Sequence, residues 1–199
     1  DLAGNGNANS SSTDNTVTYD ATALTVTINQ AAAQADPTNV SPIDFTVIFS
    51  KAVTGFTNVD VTLAGTAGAT TAVVTGSGTT YNVEVSGMTG SGTVIASIPA
   101  GIATDVSGNG NVASTSTDNT VTYDVTAPTV TINQAIGQAD PTNAATINFT
   151  AVFSKPVTGF TGVDVRLTGT AGATTAVVTG SGTTYNVAVS GMAGSGTVI

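Results

Sequence analysis

The acidic residues are the part of this sequence best suited to chemistry, and the chemistry they suggest is cation binding. Asp36 and Asp140 stand in identical QADPTN strings, Asp105 opens the string DVSGNGN, and Asp20 and Asp124 each close a TDNTVTYD string. Carboxylate, amide and carbonyl oxygens are the ligands that Ca²⁺ takes at about six to eight positions, whereas Mg²⁺ demands a regular octahedron. These five aspartates are therefore candidate calcium ligands.

Nucleophilic catalysis lacks the residues that it needs. The chain has no histidine and no cysteine, so neither a Ser-His-Asp nor a Cys-His arrangement can form. Glycoside hydrolysis needs two converging carboxylates, whereas the acids here recur once per repeat at turns. The glycine-rich strings at 76–78 and 108–111 precede no predicted helix, so they lack the helix N-terminus that cradles a phosphate. We expect no enzymatic activity and no catalytic residues.

A displacement of 104 residues places most of the chain on a copy of itself. TDNTVTYD at 13–20 recurs at 117–124, and GTAGATTAVVTGSGTTYNV at 65–83 recurs at 169–187. A fixed period of this kind marks a repeat array. Residues 1–20 are predicted to be the C-terminal strand and loop of a preceding repeat. Residues 21–124 form one complete repeat, and residues 125–199 form an incomplete repeat that lacks its last strand.

Each repeat is predicted to contain short strands separated by Gly, Asn, Asp and Pro. The predicted strands cover residues 24–30, 43–50, 59–63, 70–75, 79–86, 93–98 and 119–124. Alternation of apolar and polar residues points Phe45, Val47 and Tyr81 inward. Seven strands in a repeat of this length are typical of an Ig-like domain. We predict an all-β fold of tandem Ig-like, seven-stranded antiparallel β-sandwiches with Greek-key connections.

The predicted topology brings the acidic residues together at the ends of each domain. Asp36 is expected near Asp124 at the exit end, and Asp105 is expected at the entry end near Asp20, the last residue of the preceding repeat. Asp140 repeats Asp36 in the next copy. Calcium is therefore the candidate cofactor at the junctions. The alternative is that these residues cap turns through Asx hydrogen bonds, and the sequence leaves both interpretations open.

Four strings carry a resemblance to a known family. They are FSKAVTGFTNVDVTL at 49–63, GSGTTYNVEVSG at 76–87, IPAGIATDVSGNGN at 98–111 and TVTYDVTAPTVTI at 120–132. Together they resemble the bacterial Ig-like (Big) domains that are repeated in large surface adhesins and related cell-envelope proteins. The resemblance implies an extracellular, cell-surface array whose middle repeats act as a stalk, with calcium stiffening the links in several cases. Lys51 and Lys155 stand where this resemblance implies an acidic residue, which removes one ligand or contact.

The charge balance bears on possible partners. The net charge is -9 and there are only three basic residues, so the clustered Lys and Arg that neutralise nucleic-acid phosphates are missing. No apolar run approaches the roughly 20 residues that span a bilayer. We expect neither nucleic-acid binding nor direct membrane insertion, and we expect neighbouring repeats of the same protein to be the main partners.

The leading functional prediction is a structural stalk or spacer, and two alternatives stay open. One is a self-assembling extracellular filament of like chains, in which residues 1–20 of one chain supply the missing strand of another. The other is a weak carbohydrate- or surface-binding repeat whose avidity grows with copy number. Exposed aromatic residues would favour the second alternative. Phe56 and Phe160 are the candidate exposed pair, unless they pack at a domain junction.

Overall fold

The computed structural model describes all residues from 1 to 199, and the chain is built almost entirely from antiparallel β-sheets. It divides into two compact units, Asp1–Val125 (unit 1) and Thr126–Ile199 (unit 2). The only helical segments are two single 3-10 turns, Asn58–Asp60 in unit 1 and Gly162–Asp164 in unit 2. Neither has the length or the apolar character needed to cross a membrane.

Unit 1 contains seven strand segments in two sheets. They are β1 (Val26–Gln30), β2 (Ile43–Thr54), β3 (Thr62–Ala64), β4 (Thr71–Ser86), β5 (Gly92–Ser97), β6 (Thr104–Asp105) and β7 (Thr120–Tyr123). In the first sheet β2 lies between β1 and β4, and its end also pairs with the short β6. In the second sheet β5 lies between β3 and β7. Residues 1–23 contribute no strand.

The two sheets of unit 1 share one hydrophobic core. Phe45 and Val47 in β2 are completely buried, and so are Val94 in β5 and Val121 in β7, so side chains of both sheets belong to one cluster. Tyr81 in β4 is also buried. The predicted inward direction of Phe45, Val47 and Tyr81 is thus confirmed. Burial of apolar side chains from both sheets is the main force that holds the sheets together.

The GSG string divides β4 as predicted. The glycines predict a turn between two strands, and β4 (Thr71–Ser86) folds back on itself there, because Thr70 N donates to the carbonyl of Ser86 at 3.1 Å. A straight strand of this length could not make that contact. Gly76 and Gly78 have positive φ angles of 117° and 72°, and the register between β2 and β4 shifts beside them. The glycines therefore form the turn of a β-hairpin between two antiparallel arms of β4. The two-residue β6 was not predicted.

Unit 2 repeats the first sheet. Its strands are β8 (Val130–Gln134), β9 (Thr146–Val157) and β10 (Thr175–Ser190), in the order β8-β9-β10. Val130 pairs with Phe153 as Val26 pairs with Phe49. The inner face of this sheet is less covered than in unit 1, because no second sheet packs against it within residues 126–199. Ile132 is consequently 51% exposed, whereas its counterpart Ile28 is fully buried.

Candidate functional site

Two of the candidate ligands, Asp20 and Asp105, contact the same ammonium group. Lys51 Nζ is 2.7 Å from Asp20 Oδ2 and 2.9 Å from Asp105 Oδ2. The fold explains this meeting: Lys51 lies in β2, and the pairing of β6 with the end of β2 brings Asp105 to the same side of the sheet. We call Lys51, Asp20, Asp105 and Asn109, with the carbonyl of Thr22, the Lys51 cluster.

Asp105 is the buried member of the Lys51 cluster. Only 1% of its side chain is exposed. Its Oδ1 accepts hydrogen bonds from the backbone N–H groups of Ser107 and Asn109, each at 2.9 Å. The side-chain amide of Asn109 donates to Asp105 Oδ2 at 3.0 Å. The DVSGNGN loop thus folds back on its first residue, and the carboxylate has the several donors that a buried charge requires.

Asp20 is the member that belongs to the segment before β1. Its Oδ1 accepts from Thr22 N at 2.9 Å, and its backbone carbonyl accepts from the Asn109 side chain at 3.0 Å. Lys51 Nζ also donates to the Thr22 carbonyl at 3.0 Å. Residues 20–22, which precede the first strand, are therefore attached to the rest of unit 1 through the Asp20 side chain and two backbone carbonyls.

The electrostatics of the Lys51 cluster favour the charged form of all three titratable groups. A hydrogen bond from Lys51 lowers the pKa of Asp20 below its usual value. The hydrogen bonds from Asn109 and then from Lys51 hold the pKa of Asp105 well below its usual range. The pKa of Lys51 is raised, first by Asp20 and then by Asp105. An amine held in its charged form in this way is not a nucleophile.

Asp36 and Asp124 lie at the other end of unit 1. Asp36 Oδ1 accepts from the backbone N–H of Thr122 at 2.9 Å. The N–H of Asp124 donates to the carbonyl of Thr38 at 2.8 Å, and Asp124 Oδ1 accepts from Ser91 Oγ at 3.3 Å. Both aspartates are therefore attached at the end of β7. The Asp36 contact is of the backbone-capping kind that was the alternative to metal binding.

Asp140 lies in unit 2, in the loop between β8 and β9. It lines a surface recess of about 240 Å³ together with Gln138 and Thr142. It therefore belongs to a different unit from the other four candidates, and calcium binding by Asp36, Asp124 or Asp140 stays a prediction.

The residues at Asp20 and Asp105 do not fit a calcium ion. The oxygens that face a common point there already surround the ammonium of Lys51. A divalent cation among the same oxygens would lie within a few ångströms of that positive charge and would be repelled. No group of three or more acidic side chains is placed to hold a metal ion. The charge that balances these two carboxylates is part of the chain itself.

Asn109 and Asn111 were not among the residues singled out in the sequence. Asn111 is only 3% exposed. Its Oδ1 accepts from the N–H groups of Ile102 and Ala103, and its Nδ2 donates to the carbonyls of Pro99 and Val112. The GNGN string predicts a loop but does not reveal that its asparagines hold the loop together. For Lys51 a signal existed, since it is one of only three basic residues in a chain of net charge -9.

The aromatic residues of unit 1 pack against one another inside the repeat. Phe56 is 7% exposed, with its ring centroid 5.3 Å from that of Phe49 and 5.2 Å from that of Tyr81, both edge to face. Phe160 makes the same contacts with Phe153 and Tyr185 in unit 2. Neither prediction for Phe56, an exposed ring or a ring at a domain junction, is correct, because the GF turn folds its ring into the core of its own repeat.

No protein-family model matches the chain, and no curated protein matches it significantly.

Proposed function

We propose that this chain is a non-catalytic spacer segment, part of the stalk of a long repetitive adhesin or fibre at a cell surface. The observation that carries the proposal is the recurrence of the same internal contacts 104 residues apart. The aromatic trio recurs in both units. So does the hydrogen bond from a glutamine side chain to the carbonyl four residues later, Gln30 to Gln34 and Gln134 to Gln138, at 2.6 Å in each.

Repetition of internal contacts is what a spacer requires. The contribution of a spacer is length, and length grows with every copy that reproduces the same packing. A site for a single partner is needed only once. The two antiparallel sheets and the shared core of unit 1 support an Ig-like β-sandwich as the repeating element. The resemblance to bacterial Ig-like domains supports placing such an array outside the cell.

A carbohydrate-binding repeat has less support. Sugar recognition relies on exposed aromatic faces, and the rings of Phe49, Phe56 and Tyr81 are buried in the complete repeat. Tyr19 is the large aromatic residue that is exposed, and its counterpart Tyr123 is partly buried against the core of unit 1. An aromatic platform repeated in every copy is therefore not supported.

The experiment that tests the spacer function is measurement of molecular length against copy number. Polypeptides that carry increasing numbers of the 104-residue repeat are compared by small-angle X-ray scattering. A spacer lengthens by the same amount with each copy. A compact binding protein does not.

A second candidate function, assembly of like chains by strand donation, is favoured by a specific match. Residues 13–20 repeat the sequence of 117–124, which contains β7, but they form no strand and leave Val17 92% exposed. In unit 1, Thr122 of β7 pairs with Thr93 of β5. The corresponding pair for a donated strand is Thr18 of one copy with Thr197 of unit 2 of another. Strand addition of this kind supplies main-chain hydrogen bonds to an open sheet edge.

Cysteine cross-linking tests strand donation, because the chain has no cysteine of its own. We expect a mixture of Thr18→Cys and Thr197→Cys chains to form a disulfide-linked dimer that neither variant forms alone. An out-of-register mixture, Asn15→Cys with Thr197→Cys, is the matched control and should give much less product. Equal yields from the two mixtures would eliminate the proposed register, and a monomeric 199-residue chain at high concentration would eliminate donation.

A further inference from the structure

The Lys51 ammonium lies where a junction metal would have to lie. Three donors are available on a lysine ammonium, and Lys51 uses them on Asp20 Oδ2, Asp105 Oδ2 and the Thr22 carbonyl, at 2.7 to 3.0 Å. Asp20 is the counterpart of Asp124, which follows the last strand of a complete repeat. Asp105 and Lys51 belong to the strands of the following repeat. The contact thus joins the end of one repeat to the body of the next.

We propose that Lys51 acts as an internal cation that fastens residues 20–22 to the following repeat in place of a bound metal. Attachment of the segment then does not depend on the calcium concentration. The role of this contact as a joint between repeats rests on the proposed spacer function. The attachment of residues 20–22 is itself a property of unit 1 and can be tested alone.

Two features make the Lys51 cluster more than a surface ion pair. Exposed ion pairs contribute little because solvent screens them and the side chains must be ordered. Asp105, however, has only 1% of its side chain exposed, so its charge needs a partner that stays in place. Asn109 adds a second connection, because its side-chain amide donates both to Asp105 and to the Asp20 carbonyl. The segment is therefore held by two side chains from different parts of unit 1.

The test measures backbone order at residues 20–22 in the intact 199-residue chain by heteronuclear ¹⁵N relaxation. In the wild type we expect the Ala21 and Thr22 amides to be as rigid as those of β1, in calcium chloride and in EDTA alike. In Lys51→Met and in Asp20→Asn we expect them to become as mobile as residues 5–12. Asp14→Asn removes an acidic charge from the same exposed segment and is the control for Asp20→Asn. Arg166→Met is the corresponding control for Lys51→Met.

The outcomes separate the attachment from the spacer function. Loss of order at Ala21 and Thr22 when EDTA is added to the wild type would overturn the proposal, since a metal would then be the fastener. Order that persists in Asp20→Asn would also overturn it. Because Asp20 lies outside the core, this variant keeps the test decisive even if Lys51→Met fails to fold. Neither outcome changes how length grows with copy number, so a failure of the spacer function is recognised separately.

Discussion

At the scale of single residues, the Lys51 cluster is organised by how completely each polar group is satisfied. Asp105 is the most buried acid described in unit 1, and it faces donors from Lys51, Ser107 and Asn109. Asn111 meets the same requirement without charge, with both of its amide hydrogens and its carbonyl oxygen bound to backbone groups. No buried side-chain nitrogen or oxygen is left without a partner. Such networks order a loop because each missing partner would be costly.

The pH dependence of stability follows from Asp105. Its pKa is lowered in the folded state, mainly by Asn109 and then by Lys51, so its contribution is present above the usual carboxyl value of 3.8. That contribution is lost as the pH falls toward the pKa of the folded state. Asp105→Asn should therefore be less stable than the wild type at pH 7, and this gap should narrow below about pH 4.

Urea unfolding of the wild type and Asp105→Asn at pH 7, 4 and 2.5 measures this gap. The exposed Asp14→Asn serves as the control, because the Asp14 carboxylate makes no contact of this kind in the folded chain. The difference in unfolding free energy between Asp14→Asn and the wild type should therefore stay small at all three pH values. The raised pKa of Lys51 predicts that the stability difference between Asp105→Asn and the wild type also narrows on the alkaline side, as the pH rises above the usual lysine value of 10.5. A gap between Asp105→Asn and the wild type that is constant from pH 7 to 2.5 would show that the charge of Asp105 does not stabilise the fold.

The sequence identifies the acids but not how they are used. Repetition of QADPTN and DVSGNGN singles out Asp36 and Asp105, because an acid at a turn is visible in a pattern of residue types. Lys51, however, is 31 residues from Asp20 and 54 residues from Asp105 along the chain. A contact of that separation is created only when β6 pairs with the end of β2. No local pattern predicts a two-residue strand, and without it the lysine and the buried acid cannot be matched.

At the scale of strands, both the alternation of apolar residues and the glycine-rich turn can be predicted from the sequence. The alternating residues of β2 and β4 place their apolar side chains in the core as predicted. The GSG string predicts a turn because Gly, with its freedom at positive φ, is common in turns. The hydrogen bond from Thr70 N to the Ser86 carbonyl confirms that the chain reverses there. The register shift between β2 and β4 beside this turn is not predictable from residue type, because it depends on how the two strands pair.

Gly76 and Gly78 offer a matched pair for testing the hairpin turn in β4. A Cβ on Gly76 would lie 2.6 Å from the Thr80 carbonyl oxygen, whereas one on Gly78 would have no atom within 4 Å. Both residues have positive φ angles. Gly78→Ala should thus cost about 1 kcal/mol, the penalty of the left-handed backbone alone. Gly76→Ala should cost about 3 kcal/mol, because the steric conflict with the strand is added.

Thermal or urea unfolding of the two alanine variants measures the difference. Their sequence change is identical and their positions are two residues apart, so each is the control for the other. Equal destabilisation would mean that β4 does not fold back closely on itself at Gly76.

At the scale of the whole molecule, the chain combines few charges with a fold whose regular elements are antiparallel strands and two short 3-10 turns. Only 8% of its residues are charged, so threonine hydroxyls, amides and backbone groups carry much of the contact with water. The 104-residue period was readable from the sequence because identical strings need no structure to be recognised. The structure divides into units after Val125, and the assignment of residues 1–20, 21–124 and 125–199 to three different repeats stays a prediction. The all-β class was equally accessible, since alternation and β-branched residues suit pleated strands.

The most direct test of the spacer function is the maximum dimension of polypeptides with two, four and eight copies of the 104-residue repeat. The longest strand of unit 1 that does not fold back on itself is β2, which has 12 residues and spans about 40 Å at about 3.4 Å per residue. If the strands run along the stalk, each added copy should lengthen the molecule by about 4 nm, in a straight line from two to eight copies. A dimension that rises only with the cube root of mass, as for a compact particle, would contradict the spacer function.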